Sequence, residues 1–321
     1  MLKKWLLGVS TMASVLLFMA GPVHAHGSEP KNTKSEIIAA SPNVSGVDFE
    51  VVGGDTYLVA VVSKGHTLEV PGYWGEPYLR VSDIGKVEEN LSSPTVGLNS
   101  TRYGTVGDTS IGAGTKPRWH TLSNNGRAVW HDHRIHWMST STPVTIDQTG
   151  TIQRWTVPVV INGTNVSITG RLVLLPEPSV MWWLLLIPAI GMAWPLRNGR
   201  VVLLLLIVAA TVVGVIDISR MLALPEQARH LPTMALVAGV VIALSMAALL
   251  IRKEMFTTAI SAGAGTAAFL AIVIGSPWMT NSIIPGLSTE WVARVAVPTL
   301  AGTGIVMVVA GAMRVLAFSR Q

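Results

Sequence analysis

Two patterns of hydrophobic and polar positions divide the chain. From about residue 26 to 178, apolar and polar residues alternate in short runs punctuated by Gly, Pro, Asn and Asp; from about 179 onward the chain is almost continuously apolar. Period-two alternation marks strands with one buried face, because successive side chains of a strand point to opposite sides. Phe49–Val52 and Thr56–Val62 flank Gly53-Gly54-Asp55, a hairpin signal. Thr67–Val70 and Tyr78–Ser82 follow, and Trp119–Leu122 leads through Asn124-Asn125-Gly126 into Ala128–Met138. Gln153–Ile161 and Val166–Leu175, joined across Asn162-Gly163, predict a last hairpin, while Glu88 to Gly114 reads as a long polar loop. The expected fold of residues 26–178 is an all-β sandwich, Ig-like or cupredoxin-like.

Residues 179–321 predict a transmembrane helical domain of about five spans: Ser179–Trp194, Val201–Ile218, Thr233–Ile251, Thr257–Gly275 and Val295–Ala317. Arg197 and Arg200, Arg252 and Lys253, and Arg314 and Arg320 follow alternate spans, so they share one side, which the positive-inside rule makes cytoplasmic. Small residues in Ser261–Gly265 and Ala301–Gly304 predict close helix contacts. Asp217, the main acidic residue here, is expected to pair with Arg220 at a span end. At the other terminus, Lys3 and Lys4 precede the apolar run Trp5–Ala20, and Val23-His24-Ala25 ends it with small residues where a signal peptidase reads. Residues 1–25 therefore read as a signal peptide, which makes His26 the first residue of the mature chain and puts the β domain outside the cytoplasm.

Composition narrows the chemistry. The chain carries 50% hydrophobic and 13% charged residues and no cysteine. Without cysteine there are no disulfides, thiolate zinc sites, iron–sulfur clusters or blue-copper centres. The net charge of +5 reflects the first residues and the loops between spans, so nucleic acid is not an expected partner. No Ser-His-Asp set, paired carboxylates, phosphate loop or dinucleotide fingerprint stands in a suitable context, which argues against an enzyme.

Histidine carries the remaining signal. Of the eight histidines, three crowd into Trp130-His-Asp-His-Arg-Ile-His-Trp-Met138. If this run is a strand, His131 and His133 share a face and form a two-pronged metal arm, while Asp132, Arg134 and His136 point the other way, as outer supports of the metal or as a separate salt-bridged row. His26 offers an α-amine and its own imidazole as a chelating pair. His26, His131 and His133 together make a nitrogen-only ligand set, which suits Cu(II) in a square arrangement or zinc in a tetrahedral one. The alternative is that the histidines are structural, hydrogen-bonded inside a Trp-flanked strand. In Gly72–Arg80, the rings of Tyr73, Trp74 and Tyr78 are expected to fill the end of the sandwich, with Glu76 paired to Arg80 or Arg134.

Gly72-Tyr-Trp-Gly-Glu-Pro-Tyr-Leu-Arg80 and Trp130–Met138 resemble a family of uncharacterised actinobacterial membrane proteins with a signal peptide, a β-rich ectodomain and C-terminal spans. More distantly, His26-Gly27 with Trp130-His-x-His133 is similar to the copper-binding, cupredoxin-like subunit of particulate methane and ammonia monooxygenases. That resemblance implies copper on His26, His131 and His133. The chain departs from that subunit in having one β domain and a different arrangement of spans, so oxygenase activity does not carry over. The expectation is a multi-pass cell-membrane protein that captures copper or delivers it to a cuproenzyme, a metallochaperone or another membrane protein. Its rivals are a metal-free interaction or assembly module presenting Gly72–Arg80, and a subunit of a copper-dependent oxidase or oxygenase.

Overall fold

The computed structural model describes residues 32–104, 116–139, 143, 146–226, 229 and 231–318. Residues 1–25, expected to be a signal peptide, and His26 lie outside the described residues. The chain divides into two compact units, one holding the strands up to Pro176 and the other the helices from Glu177 onward.

In the first unit, the described residues form two antiparallel sheets. The strands are β1 (Thr33–Ser41), β2 (Val47–Val52), β3 (Tyr57–Val62), β4 (Leu68–Pro71), β5 (Pro77–Val81), β6 (Val87–Asn90), β7 (Trp119–Ser123), β8 (Arg127–His131), β9 (Thr151–Ile161) and β10 (Thr164–Leu174). The larger sheet runs β1-β10-β9-β4-β5-β6-β7 and the smaller β2-β3-β8. Alternation does what the pattern requires. On β9, Trp155, Val157, Val159 and Ile161 are buried while Arg154, Thr156 and Pro158 are exposed. These residues join Leu58, Ala60 and Val62 of β3 and Ala128 and Trp130 of β8 in one apolar cluster fed by both sheets. The last hairpin turns on Asn162 and Gly163, both at positive φ (50° and 78°), as a two-residue turn between twisted strands demands.

Four features depart from the sequence pattern. β1 was not announced by alternation, because its pairing with β10 slips between Ile37 and Ala39 and the bulge breaks the period of two. The described part of the expected loop from Glu88 to Gly114 holds most of β6 and a short helix, α1 (Pro94–Leu98), capped by the Ser93 hydroxyl on the Thr95 N–H. The strand expected to run to Met138 stops at His131. The turn before it does not make a hairpin: β7 pairs with β6 in the larger sheet and β8 with β3 in the smaller.

The second unit holds α2 (Leu186–Ala193), α3 (Val201–Ala223), α4 (Thr233–Leu250), α5 (Glu254–Ile274), α6 (Ser276–Thr280) and α7 (Glu290–Phe318). Four of these, α3, α4, α5 and α7, are long and apolar enough to cross a membrane, and they mark a membrane protein. The first expected span is a shorter helical stretch, Val180–Leu196, in which 3₁₀ turns flank α2 and which contains Pro188 and Pro195. Small residues let α5 and α7 approach: a Cβ on Gly265 would lie 2.6 Å from the Gly304 carbonyl oxygen. Asp217 and Arg220 form a buried ion pair at 2.8 Å inside α3. The second Asp217 oxygen accepts the Ala235 N–H (3.0 Å) in the first turn of α4, where helix N–H groups lack internal partners.

Candidate metal centre

The site begins where β8 ends. Tyr57 of β3 stands opposite His131, the last ladder residue, with the two rings edge to face at 5.9 Å. Asp132 then turns the chain. Its carboxylate accepts the Arg134 N–H (3.0 Å), and its carbonyl accepts the Ile135 N–H (3.2 Å). An aspartate that bonds the backbone two residues on offers the chain an alternative to the sheet ladder. Arg134 closes the turn with Nε and Nη2 on the two Asp132 oxygens, at 2.8 and 2.7 Å, and the Trp130 indole N–H donates to the same carboxylate (3.1 Å). Ile135 sinks into the apolar core.

The turn overrides the face assignment made by strand periodicity. His136 does not point away from His131 and His133. It folds back onto them, and one ring nitrogen from each of His131, His133 and His136 lies within 4.8 Å of the other two. His131 Nε2 and His136 Nε2 stand 2.9 Å apart. Asp132 and Arg134, expected as outer supports or as a separate salt-bridged row, spend their side-chain bonds on one another and on Trp130, and so hold the turn. His66 and His120 lie elsewhere, His66 against Asn162 and His120 on β7.

Two of the three tautomers follow from the hydrogen bonds. A carbonyl oxygen only accepts, so the ring nitrogen facing it carries the proton. His133 Nε2–H donates to the Thr101 carbonyl (2.9 Å), which leaves the lone pair on Nδ1. His136 Nδ1–H donates to the Trp137 carbonyl (3.0 Å), which leaves the lone pair on Nε2. Backbone carbonyls that fix the ring orientation and leave the other nitrogen open are the usual supports of metal-binding histidines.

Electrostatics keep His131 and His136 neutral. Burial, the largest cause for both, holds the pKa of His131 and His136 down to about 3. The neighbouring imidazoles and the Arg102 guanidinium push the same way; Asp132 opposes them at His131, as does the Trp137 carbonyl at His136. A neutral imidazole is the form that ligates a metal.

Sequence patterning missed the residues that brace these rings. Arg102 forms a buried ion pair with Asp55 at 2.7 Å, across two segments far apart in the chain. Gly104, at φ +59°, leaves room for His133: a Cβ there would lie 2.9 Å from the ring. The Tyr73 hydroxyl accepts the His133 N–H (2.8 Å) and donates to Asn99 Oδ1 (2.6 Å), while Arg134 lies over the Tyr73 ring. Glu76 pairs with neither Arg80 nor Arg134. It accepts from the Ser93 and Thr95 hydroxyls at the start of α1, and Arg80 pairs with Glu88. Tyr73 is therefore part of the brace around His133, whereas Trp74 is exposed. The aromatic residues of Gly72–Arg80 were visible in the sequence, but their link to the histidines was not.

No protein-family model, no curated protein and no solved structure matches this chain. The buried His131/His133/His136 cluster can hold a metal ion.

Proposed function

We propose that the protein is a membrane-anchored, extracytoplasmic copper-binding protein that captures copper or delivers it to a partner, with His131, His133 and His136 as ligands. The observation that carries this reading is the convergence of the three rings, two of them with their protons already committed to backbone carbonyls. His26, the expected mature N-terminus, would add an amine and an imidazole. A nitrogen-only donor set favours Cu(II) over the other divalent first-row metals. Two nitrogens about 2.0–2.1 Å from one ion stand roughly 3.3 Å apart at a tetrahedral angle and about 2.9 Å apart at a right angle. The 2.9 Å between His131 and His136 is within the reach of one ion in either geometry after a small adjustment, so the preference for copper rests on the donor set. The similarity of Trp130-His-x-His133 to the copper-binding monooxygenase subunit points the same way. An extracytoplasmic β-rich unit requires the shorter stretch Val180–Leu196 to cross the membrane besides the four long helices, which puts the Arg and Lys residues between spans on the opposite, cytoplasmic side.

The same 2.9 Å also suits an N–H···N hydrogen bond, which favours a second reading in which the cluster is a structural polar knot. Titration of the full chain in detergent with Cu(II), against a competing chelator and with EPR detection, separates the two. The copper reading expects one tight equivalent with a nitrogen-rich tetragonal signal. It expects affinity to fall at least 100-fold in His131→Ala/His136→Ala, with the fold checked by circular dichroism. Absence of tight binding in the folded wild-type chain leaves the structural reading.

A further inference from the structure

One cavity in the helical unit takes no part in the metal chemistry. It measures about 610 Å³, and Arg197, Arg200, Arg252 and Arg314 line it together with a single acid, Glu254. The positive-inside rule accounts for basic residues at one end of the helices. It does not account for four guanidinium groups around one cavity, nor for the group at its inner wall. That group is the Thr258 hydroxyl, which belongs to a residue only 2% exposed and has no hydrogen-bond partner. Helical threonines usually return their hydroxyl to the carbonyl one turn back, and Thr257 and Thr266 in the same helix do so, onto Lys253 and Ala262. A buried hydroxyl without a partner calls for an explanation, and a ligand oxygen supplies one.

The cations are not consumed by the protein. Arg314 donates to the Arg197 carbonyl and to Asn198, and Arg197 donates to the Trp194 carbonyl and lies over the Trp194 ring, so both are placed by neutral groups. Among the described residues none of the four arginines forms an ion pair. Guanidinium groups are suited to phosphate oxygens, which they engage in pairs of parallel hydrogen bonds. The volume lies within the roughly 300–1,000 Å³ of small-molecule sites, and Leu203, Ala248 and Met307 give the cavity an apolar side.

We propose that this cavity binds a phosphate group, held by Arg197, Arg200, Arg252 and Arg314 with the Thr258 hydroxyl donating to one of its oxygens. The phosphate belongs to an anionic lipid headgroup or to a free phosphate. The test uses the full chain in a phosphate-free maltoside detergent alone, in the same detergent with added phosphatidylglycerol, and in it with added inorganic phosphate. Lipid retention is read by native mass spectrometry and stability by thermal unfolding. Retention and stabilisation with phosphatidylglycerol identify a lipid headgroup; stabilisation by inorganic phosphate alone identifies a free anion. Either effect should weaken roughly 10- to 30-fold in Arg200→Gln/Arg252→Gln, at about a tenfold step or less per arginine. It should also weaken in Thr258→Val, which removes the hydroxyl with little change of shape and does not lower the unfolding temperature in detergent alone. If neither probe is retained or stabilises the wild-type chain, the proposal is overturned. It is also overturned if binding drops in the arginine variant but is untouched in Thr258→Val, because attraction to a charged surface needs no buried hydroxyl.

Discussion

Each unit of the molecule buries an aspartate against a nearby arginine, and the two pairs do different work. Asp217 and Arg220 sit one turn apart on α3, and both carboxylate oxygens are taken: one by the guanidinium, the other by the first turn of α4. Asp132 and Arg134 sit two residues apart after a strand, and their bonds bend the backbone. The bend brings His136 against His131, ring nitrogen to ring nitrogen, and leaves the lone pair of His136 on the nitrogen that faces His131. A buried charge pair is therefore not in itself a sign of function. The backbone it organises decides whether neighbouring donors and acceptors are used up or left to converge.

The largest difference between the units is expected in acid. His131 and His136 have folded pKa values of about 3 against an ordinary value of about 6.5. Between these limits the unfolded chain binds more protons than the folded one, so stability falls as pH drops through 6.5 toward 3 and is fully present above 6.5. Hydrogen exchange should show protection of β3 and β8 declining over this window while α3 and α4 change little. Equal loss in both units would mean that the histidines are not the cause.

Charge removal sharpens the contrast. Asp217→Asn takes the carboxylate from the buried Arg220, at a cost of about 3–5 kcal/mol by thermal or chemical unfolding, and Asp132→Asn takes it from the part-exposed Arg134, at a smaller cost of about 1–3 kcal/mol. Only Asp132→Asn should weaken copper binding, by roughly 10- to 100-fold, as expected for loss of a group that orients ligands. A comparable loss of copper affinity in Asp217→Asn would break the comparison.

Smaller effects are expected from the groups around His133. Gly104→Ala introduces a side chain at positive φ and against the ring, at a cost of about 1–3 kcal/mol, and should displace His133 from the copper EPR signature. Tyr73→Phe removes the hydroxyl that accepts the His133 N–H, at a cost of about 1 kcal/mol. In chelator competition it should lower copper affinity less than Gly104→Ala does; the reverse order would place the hydroxyl, not the space beside the ring, as the main control.

Much of the β architecture was legible because it is local. The Asn162-Gly163 turn, the Gly53-Gly54 turn and the alternation on β9 need only neighbouring residues. β1 escaped because a bulge interrupts its period and because its partner, β10, lies at the far end of the domain. At the site, the crowding of His131, His133 and His136 was plain, but strand periodicity put His136 on the wrong side. That rule holds only while the ladder continues, and Asp132 ends it. Asp55, Arg102, Thr101 and Gly104 carried no local signal, since their roles depend on contacts between distant segments.

By itself, the sequence determined the division into a β-rich and an apolar helical region, the hairpin turns, and the absence of any sulfur ligand from cysteine. These follow from periodicity, turn chemistry and composition, which act over a few residues. The tertiary structure alone decided that three imidazoles meet, where the lone pairs of His133 and His136 lie, and that arginines from separate segments surround one cavity with Thr258. Those outcomes depend on where the chain reverses and on which carbonyl a ring or hydroxyl finds, and both are set by long-range packing.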